Sequence, residues 1–250
     1  MKVVQQSRFI TDVLKSVFSG FVAPAGMQRP YVWGKQDVEA LFDSLLREFP
    51  IGSFLSWMPK QKGVLTEIGR KNLGPIALKG ADTPWNPRLL LMDGQNRLAT
   101  LAWVSCKGVY DPNLPYSDAE RAVWMSGETL VYDGESQSVR FVPDAEANVG
   151  LRLPAWCLMS LSTPEMHREV SKYMRELMDT QFAGIREHDL DCLWEDFDYA
   201  QRAFQRARVI DTVIEDATPE EARRAFIRIC RTGVPMAHED FDYAMNWTAG

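Results

Sequence analysis

The stretch LLLMDGQNRLATLAW, residues 89–103, joins two hydrophobic segments of different periodicity. Its first four residues form a short apolar run that a glycine turn bounds, which favours a buried strand over a helix. After Gly94, the apolar residues Leu98, Leu101 and Ala102 follow helical spacing. The pattern therefore predicts a strand over residues 88–92 and a helix over residues 96–106. Residues 93–97, which we call the corner, lie between them.

The residues of the corner suit the binding of an anion. A strand-to-helix corner presents the unpaired N–H groups of the first helical turn, and these groups and the helix dipole favour negative charge. Gly94 lets a bulky ligand approach the backbone, and Arg97 can make a forked contact with a phosphate. The amides of Gln95 and Asn96 donate and accept hydrogen bonds, which suits a base, a ribose or an attacking water. Thr100 shares a helix face with Asn96.

Asp93 has two chemical interpretations at the corner. Its carboxylate is a candidate ligand for a magnesium ion or a candidate base. A structural interpretation also stays open, in which Asp93 caps the helix and Arg97 lies on the surface.

The loop at residues 28–33, QRPYVW, concentrates recognition chemistry in six residues. An aromatic ring of Tyr31 or Trp33 can stack on a base, while Arg29 meets a phosphate and Gln28 supplies an amide. The alternative is that the two rings anchor this loop to the helix that follows.

A third segment, FIRICRTG at residues 226–233, ends a predicted helix with two cations. Arg228 and Arg231 can approach a phosphate site from this helix. The alternative is a basic last turn that complements the helix dipole.

Composition narrows the class of protein. The chain has 250 residues, is 46% hydrophobic and carries a formal net charge of −6, so it does not resemble proteins that grip nucleic acid with their whole surface. DNA contact would require a local patch or a partner. The four cysteines lack metal-ligand spacing, and no apolar stretch reaches the length of a membrane span. We expect a soluble, cytoplasmic protein.

The rest of the chain predicts an α+β fold. Helices are expected over residues 7–18, 36–49, 164–178, 190–208 and 219–230, and strands over residues 53–58, 75–78 and 209–214. TLVYD and SVRFV, at residues 129–133 and 138–142, predict a hairpin, whereas residues 107–128 are expected to be mostly irregular. No domain boundary is evident, and we predict one domain over residues 1–250.

Three motifs, in this order, resemble a known family. QRPYVW is followed by a helix and PIGSFLSW at residues 50–57, then by DGQNRLATL at residues 93–101 and FIRICRTGVPMAHED at residues 226–240. This arrangement resembles domain of unknown function 262, the DGQQR-motif family, which is also known as the N-terminal domain of GmrSD-type restriction enzymes. The resemblance spans about residues 7–242.

The resemblance implies a fold similar to the ParB/sulfiredoxin-like nuclease fold, a small mixed sheet packed with helices and here extended by further helices. It implies that the corner is a nucleotide site, with nucleoside triphosphate and Mg²⁺ as expected ligands. It also implies a role in defence against foreign DNA, where the nucleotide cycle is coupled to an HNH nuclease domain.

The sequence departs from the family pattern at three points. Asn96 replaces a glutamine, Cys230 replaces an asparagine, and no HNH module follows the third motif within these residues. We therefore expect the nuclease to be a partner chain and expect no intrinsic DNA cleavage; a homo-oligomer is left open.

The resulting hypothesis is a metal-dependent nucleoside triphosphatase. This hypothesis has four catalytic residues, Asp93, Gln95, Asn96 and Arg97. The other expected site residues contact the nucleotide: Gln28, Arg29, Tyr31, Trp33, Gly94, Thr100, Arg228 and Arg231. The alternative is a nucleotide-gated binding or regulatory module without turnover, such as a ParB-like switch or a decoy.

Overall fold

Strands and helices are interspersed along the residues that the structure describes. The computed structural model describes residues 1–26, 30–59, 69–78, 87–110, 113–114, 116–159 and 164–231, with backbone alone at residues 164–166 and 229–231. The strands of these residues are β1 (Lys2–Phe9), β2 (Val22–Pro24), β3 (Ser53–Pro59), β4 (Asn72–Leu73), β5 (Ile76–Ala77), β6 (Leu89–Asp93), β7 (Glu128–Asp133), β8 (Ser138–Pro143), β9 (Arg152–Pro154) and β10 (Arg208–Ala217). Their α-helices are α1 (Ile10–Phe18), α2 (Lys35–Leu46), α3 (Gln95–Ser105), α4 (Asp118–Trp124), α5 (Pro164–Asp179), α6 (Glu187–Arg206) and α7 (Pro219–Arg231).

A mixed five-stranded sheet lies at the centre, in the order β1-β10-β3-β6-β2. β10 runs parallel to β3 and antiparallel to β1, while β6 runs antiparallel to β3 and parallel to β2. The carboxyl ends of β6, β2 and β1 therefore meet the amino ends of β3 and β10 at one edge. We call this the Asp93 edge. The α+β class predicted from the sequence is confirmed.

The N-terminal strand corrects one prediction from the sequence. Residues 7–9, expected to begin the first helix, instead complete β1, and the helix begins at Ile10. Ser7 pairs with Ile210 and Phe9 with Arg208 in the antiparallel ladder. Arg8 donates to the buried carboxylate of Asp211 at 3.1 Å. The partner strand lies about 200 residues away, so local periodicity cannot reveal this pairing.

The strand β6 explains the apolar run that opens the corner. Leu89 to Met92 are all buried, because β6 lies between β3 and β2 within the sheet and its two faces are covered. The predicted strand and the helix that follows it are confirmed, within a residue or so of the expected bounds.

A second sheet, in the order β8-β7-β9, contains the predicted hairpin of β7 and β8. Near it, α4 corrects the expectation of mostly irregular chain over residues 107–128. The backbone of Ser117 donates to Glu120 at 2.8 Å, and the backbone of Glu120 donates to the Ser117 hydroxyl at 3.3 Å. This reciprocal capping box was visible in the sequence as Ser-x-x-Glu.

A similar box begins α7, as predicted. The amide of Thr218 donates to Glu221 at 2.8 Å, and the amide of Glu221 donates to the Thr218 hydroxyl at 3.3 Å. From this start, α7 packs on β10 and β3, with Ala222 fully buried. The helix therefore begins at the end of the sheet opposite the Asp93 edge.

Candidate functional site

The corner is fixed by strand pairing at the Asp93 edge. Asp93 is the last residue of β6 and pairs with Leu55 near the start of β3. Helix α3 begins two residues later, and its first intrahelical bond runs from the amide of Leu98 to the carbonyl of Gly94. The amides of Gln95, Asn96 and Arg97 therefore have no acceptor within the helix.

Gly94 is needed at the corner for a steric reason. Its φ of +91° lies in the left-handed region, and a Cβ placed there would overlap the ring of Phe54. Gly94 is buried. The sequence predicted that Gly94 leaves space for a ligand to approach the backbone. In this structure the ring of Phe54 occupies that space.

Gly94 also settles the capping alternative. It is the residue that caps α3, and no side chain caps this helix. The structural interpretation in which Asp93 caps the helix is therefore wrong.

Arg97 is held in place by groups from the β3 side of the sheet. Its Nη1 donates to the carbonyl oxygen of Ile51 at 2.5 Å, and its guanidinium lies over the Phe54 ring at 5.5 Å. Its side chain is 18% exposed, so the alternative that it is a surface residue is also wrong. Burial lowers the pKa of the Arg97 guanidinium below its usual range, and the carboxylate of Asp93 opposes this shift. A cation that has lost part of its hydration attracts an arriving anion more strongly.

Asp93 retains accessible carboxylate oxygens. Its side chain is 48% exposed, and its ion pair with Arg97 is long, at 3.9 Å. A pair of this length leaves lone pairs for a metal ion or for the proton of a water.

The two amides of the corner lie in different environments. Gln95 is 7% exposed, and its Oε1 is buried with no hydrogen-bond partner in the described part of the chain. Asn96 is half-buried. An unpartnered amide oxygen in the first turn of α3 costs stability, and a bound ligand or an ordered water would satisfy it.

The aromatic loop lies under α3. Tyr31 and Thr100 are both fully buried, and their hydroxyl oxygens are 2.8 Å apart in a hydrogen bond. The ring of Tyr31 packs against Trp124 at 4.5 Å and against the edge of Trp33 at 6.4 Å. Burial raises the pKa of the Tyr31 hydroxyl far above its usual range. In this conformation Tyr31 and Thr100 support the corner from within the core, whereas Trp33 is only partly buried.

The remaining expected nucleotide contacts stay predictions. Gln28 and Arg29 lie outside the described residues. Arg228 is exposed on α7, and Arg231 belongs to the backbone-only end of that helix. Their positions relative to the corner rest on the family resemblance.

The carboxylate chemistry of the corner fits one mode of magnesium binding. Among the described residues, no group of three or more His, Cys, Asp or Glu side chains is arranged to hold a metal. Mg²⁺ commonly binds through one or two carboxylates together with the phosphates of a nucleotide. Asp93, with its exposed oxygens beside Arg97, fits that mode.

Sequence reasoning missed three residues that shape the corner. The carbonyl of Ile51 holds Arg97, the guanidinium occupies the space that a Cβ at Gly52 would take, and Phe54 fills the space at Gly94. The segment PIGSF gave a signal only through the family pattern. Every residue has a backbone carbonyl, so the residue type at position 51 does not reveal that this carbonyl accepts a hydrogen bond from Arg97.

The family comparison agrees with the motifs. A family model described as the GmrSD restriction endonuclease, N-terminal domain, matches residues 10–242. The chain belongs to this family. The resemblance inferred from the motifs is thereby confirmed, and it covers almost the same range as expected. The GmrSD N-terminal match includes both the corner and the Ile51 turn that holds Arg97.

The chain is also similar to one curated protein. An uncharacterized protein of Methanocaldococcus jannaschii is 32% identical over 149 residues, which are 56% of this chain and 23% of the relative. The match thus spans about a quarter of that longer protein. Among the described residues of this GmrSD N-terminal domain, no helix is long and apolar enough to cross a membrane.

Proposed function

We propose that this domain binds a nucleoside triphosphate at the corner and hydrolyses it with a divalent metal. The observation that carries the proposal is the setting of Arg97. A partly desolvated guanidinium stands in the first turn of α3, beside helix amides that have no acceptor within the helix and beside the partly exposed carboxylate of Asp93. A guanidinium and backbone amides placed together in this way stabilise developing phosphate charge.

The chain's own residues have distinct roles in this reaction. Arg97 and the amides at the start of α3 bind the phosphate tail, and Arg29 would add a second cation. Water attacks the γ-phosphorus, the bond from phosphorus to the bridging β-phosphate oxygen breaks, and a nucleoside diphosphate and inorganic phosphate leave. Asp93 would hold the metal, which supplies neutralisation of phosphate charge, or accept the proton of the attacking water. Asn96 orients the water or the nucleotide.

A second function is favoured by one specific observation. Gln95 is 7% exposed, so in this conformation its amide does not face a substrate, and Asn96 is shorter than the glutamine of the family pattern. Both features favour a domain that binds nucleotide as a switch without turnover.

Phosphate release separates the two functions. Purified protein is mixed with each of the four ribonucleoside triphosphates and Mg²⁺, and binding and inorganic phosphate are measured in parallel. Turnover that falls in Arg97→Ala supports hydrolysis. Saturable binding, with release no greater than in Arg97→Ala, supports the switch. An absence of binding by all four nucleotides contradicts both.

We further propose that the domain serves a restriction-like defence system and acts with a separate nuclease. Membership of the GmrSD restriction endonuclease family supports this role. The mixed central sheet with helices packed around it also supports the expected relationship to the ParB/sulfiredoxin-like fold.

A further inference from the structure

A groove of about 450 Å³ opens at the Asp93 edge, beside the turn that contains Ile51. We call it the Phe49 groove. The turn after α2 forms one wall, and the end of α6 with the start of β10 forms the other. Its lining includes the charged residues Glu48, Arg206 and Arg208, the apolar residues Phe49 and Ile210, and Ile51 and Gly52 of the turn.

The groove exposes apolar surface that a folded chain normally covers. Phe49 is 58% exposed and Ile210 is 46% exposed, and both line the groove. Two large apolar side chains that line one concave surface are more informative than single exposed residues scattered over a protein. They indicate that another apolar group completes this surface.

The charge of the groove indicates which kind of ligand it would bind. Arg206 and Arg208 are exposed, and neither forms an ion pair with a described carboxylate, whereas Arg202, one turn earlier on α6, pairs with Asp198. The exposed Glu48 also lines the groove, so the two arginines leave its lining with a net positive charge. The guanidinium of Arg208 instead lies 4.0 Å from the centre of the Phe9 ring, and its Nη1 donates to the Ser7 hydroxyl at 3.4 Å. Both arginines retain donors for an incoming anion.

We propose that the Phe49 groove docks a peptide segment of a partner protein that carries carboxylates beside a bulky apolar side chain. The apolar side chain packs between Phe49 and Ile210, and the carboxylates meet Arg206 and Arg208. Apolar walls favour a peptide over a DNA backbone, which would need cations without exposed apolar surface.

The same groove shares a wall with the corner. Ile51 and Gly52 line the groove, while the Ile51 carbonyl accepts the hydrogen bond from Arg97, and a Cβ at Gly52 would overlap the guanidinium. A phosphate that draws Arg97 away from this carbonyl would shift the turn, and occupancy of the groove would then depend on nucleotide. This coupling rests on the proposed function, whereas the docking site itself does not.

A peptide selection tests the docking site without nucleotide. A random 12-residue display library is selected on the intact chain and counter-selected on the double variant Arg206→Glu and Arg208→Glu. The recovered peptides should carry acidic residues beside a bulky apolar residue. One of them, labelled with fluorescein, should bind in an anisotropy assay at least tenfold more weakly to the double variant and to Phe49→Ser.

The matched control is Arg202→Glu, which changes an arginine of the same helix that already has a carboxylate partner. Its affinity for the peptide should equal that of the unmodified chain, and hydrogen exchange should show protection at residues 48–52 and 206–210.

The proposal would be overturned if the selected peptides were not enriched in acidic residues, or if the peptide protected other residues from exchange. Binding of a 20-base-pair DNA duplex through the two arginines, or self-association lost in Phe49→Ser, would replace the peptide with DNA or with a second copy of the chain.

Nucleotide tests the coupling separately. A saturating nucleoside triphosphate should change the dissociation constant of the peptide at least threefold, and the peptide should change nucleotide affinity by the same factor. Nucleotide that binds and leaves the peptide affinity unchanged overturns the coupling. If no nucleotide binds, the proposed function fails, and the measurements without nucleotide still decide whether the groove docks a peptide.

Discussion

Arg97 donates from Nη1 to the carbonyl oxygen of Ile51 at 2.5 Å, across 46 residues of sequence. This bond joins the first turn of α3 to the turn that precedes β3. It holds a cation at the end of β6 in a partly buried position, where phosphate charge would be stabilised. The proposed nucleotide site and its proposed link to the Phe49 groove both depend on this contact.

Replacing Arg97 tests the phosphate site. Arg97→Ala should weaken binding of a nucleoside triphosphate by about 1–3 kcal/mol, the scale of a charge-assisted hydrogen bond. Isothermal calorimetry gives the dissociation constant, and circular dichroism at the same temperature checks that the variant is folded. Arg202→Ala, an exposed arginine paired with Asp198, is the control. A dissociation constant that Arg97→Ala leaves unchanged would remove Arg97 from the site.

Lengthening the amide at position 96 tests catalysis. Asn96→Gln restores the residue of the family pattern and adds about one methylene of reach. If that reach limits hydrolysis, the rate of phosphate release at saturating nucleotide should rise. Asn96 is half-buried at the start of α3, so the melting temperature should change little. A slower rate would mean that the pocket has adapted to asparagine.

The Gly94 position tests the steric account of the corner. Gly94→Ala imposes a side chain at φ +91° and drives its Cβ into the Phe54 ring, whereas Gly184→Ala meets a similar φ of +90° with nothing within 4 Å. The control should lose about 1–2 kcal/mol for the left-handed conformation alone. Gly94→Ala should lose a further ~1–3 kcal/mol from overpacking. Urea unfolding measures both, and equal losses would contradict the contact with Phe54.

Substitutions at the hydrogen-bonded pair of Tyr31 and Thr100 test whether these two residues stabilise the core or bind the nucleotide. Tyr31→Phe leaves the Thr100 hydroxyl without a partner and should cost about 1–3 kcal/mol of unfolding free energy. Thr100→Val should cost a similar amount, and the double variant should lose less than the sum of the two. Chemical unfolding of all four proteins provides the cycle. Intact stability together with weaker nucleotide binding in Tyr31→Phe would instead place Tyr31 at the ligand.

Acid stability should depend on Asp133, which ends β7. Burial disfavours its charged form, but hydrogen bonds from Arg140, the amide of Ser136 and Arg152 outweigh burial and hold the pKa of the carboxyl below its usual range. Because the folded-state pKa is depressed, this stability is present above the unfolded pKa of about 3.9. It is lost as the pH falls through the folded-state pKa.

The variant Asp133→Asn tests this assignment. It should lose about 1–3 kcal/mol near neutral pH and show a flatter decline of stability below pH ~5. Urea midpoints measured across acid pH give both quantities. Asp43→Asn breaks an exposed pair with Arg47 and should cost less than about 1 kcal/mol. An acid decline in Asp133→Asn as steep as in the unmodified chain would assign the effect to other carboxylates.

The local sequence was sufficient to predict those elements whose structure depends mainly on neighbouring residues. The apolar run before Gly94 predicted β6, the spacing after it predicted α3, and the Thr218 and Glu221 pair predicted the start of α7. The family resemblance also came from short motifs in order. Where a local signal was overlooked, as in the Ser117 and Glu120 box of α4, the sequence still contained it.

The tertiary structure decided which residues serve the corner, and how. Residues 7–9 became strand because β10 supplies a partner from about 200 residues away. Tyr31 and Thr100, expected at the nucleotide, are buried and bonded to each other. Arg97 is fixed by the backbone carbonyl of Ile51, and Gly94 is required by the ring of Phe54. The physical reason is common to all of these features. Periodicity and motifs report an element's own preferences, whereas strand partners, burial and contacts through backbone atoms depend on which distant segments pack against it.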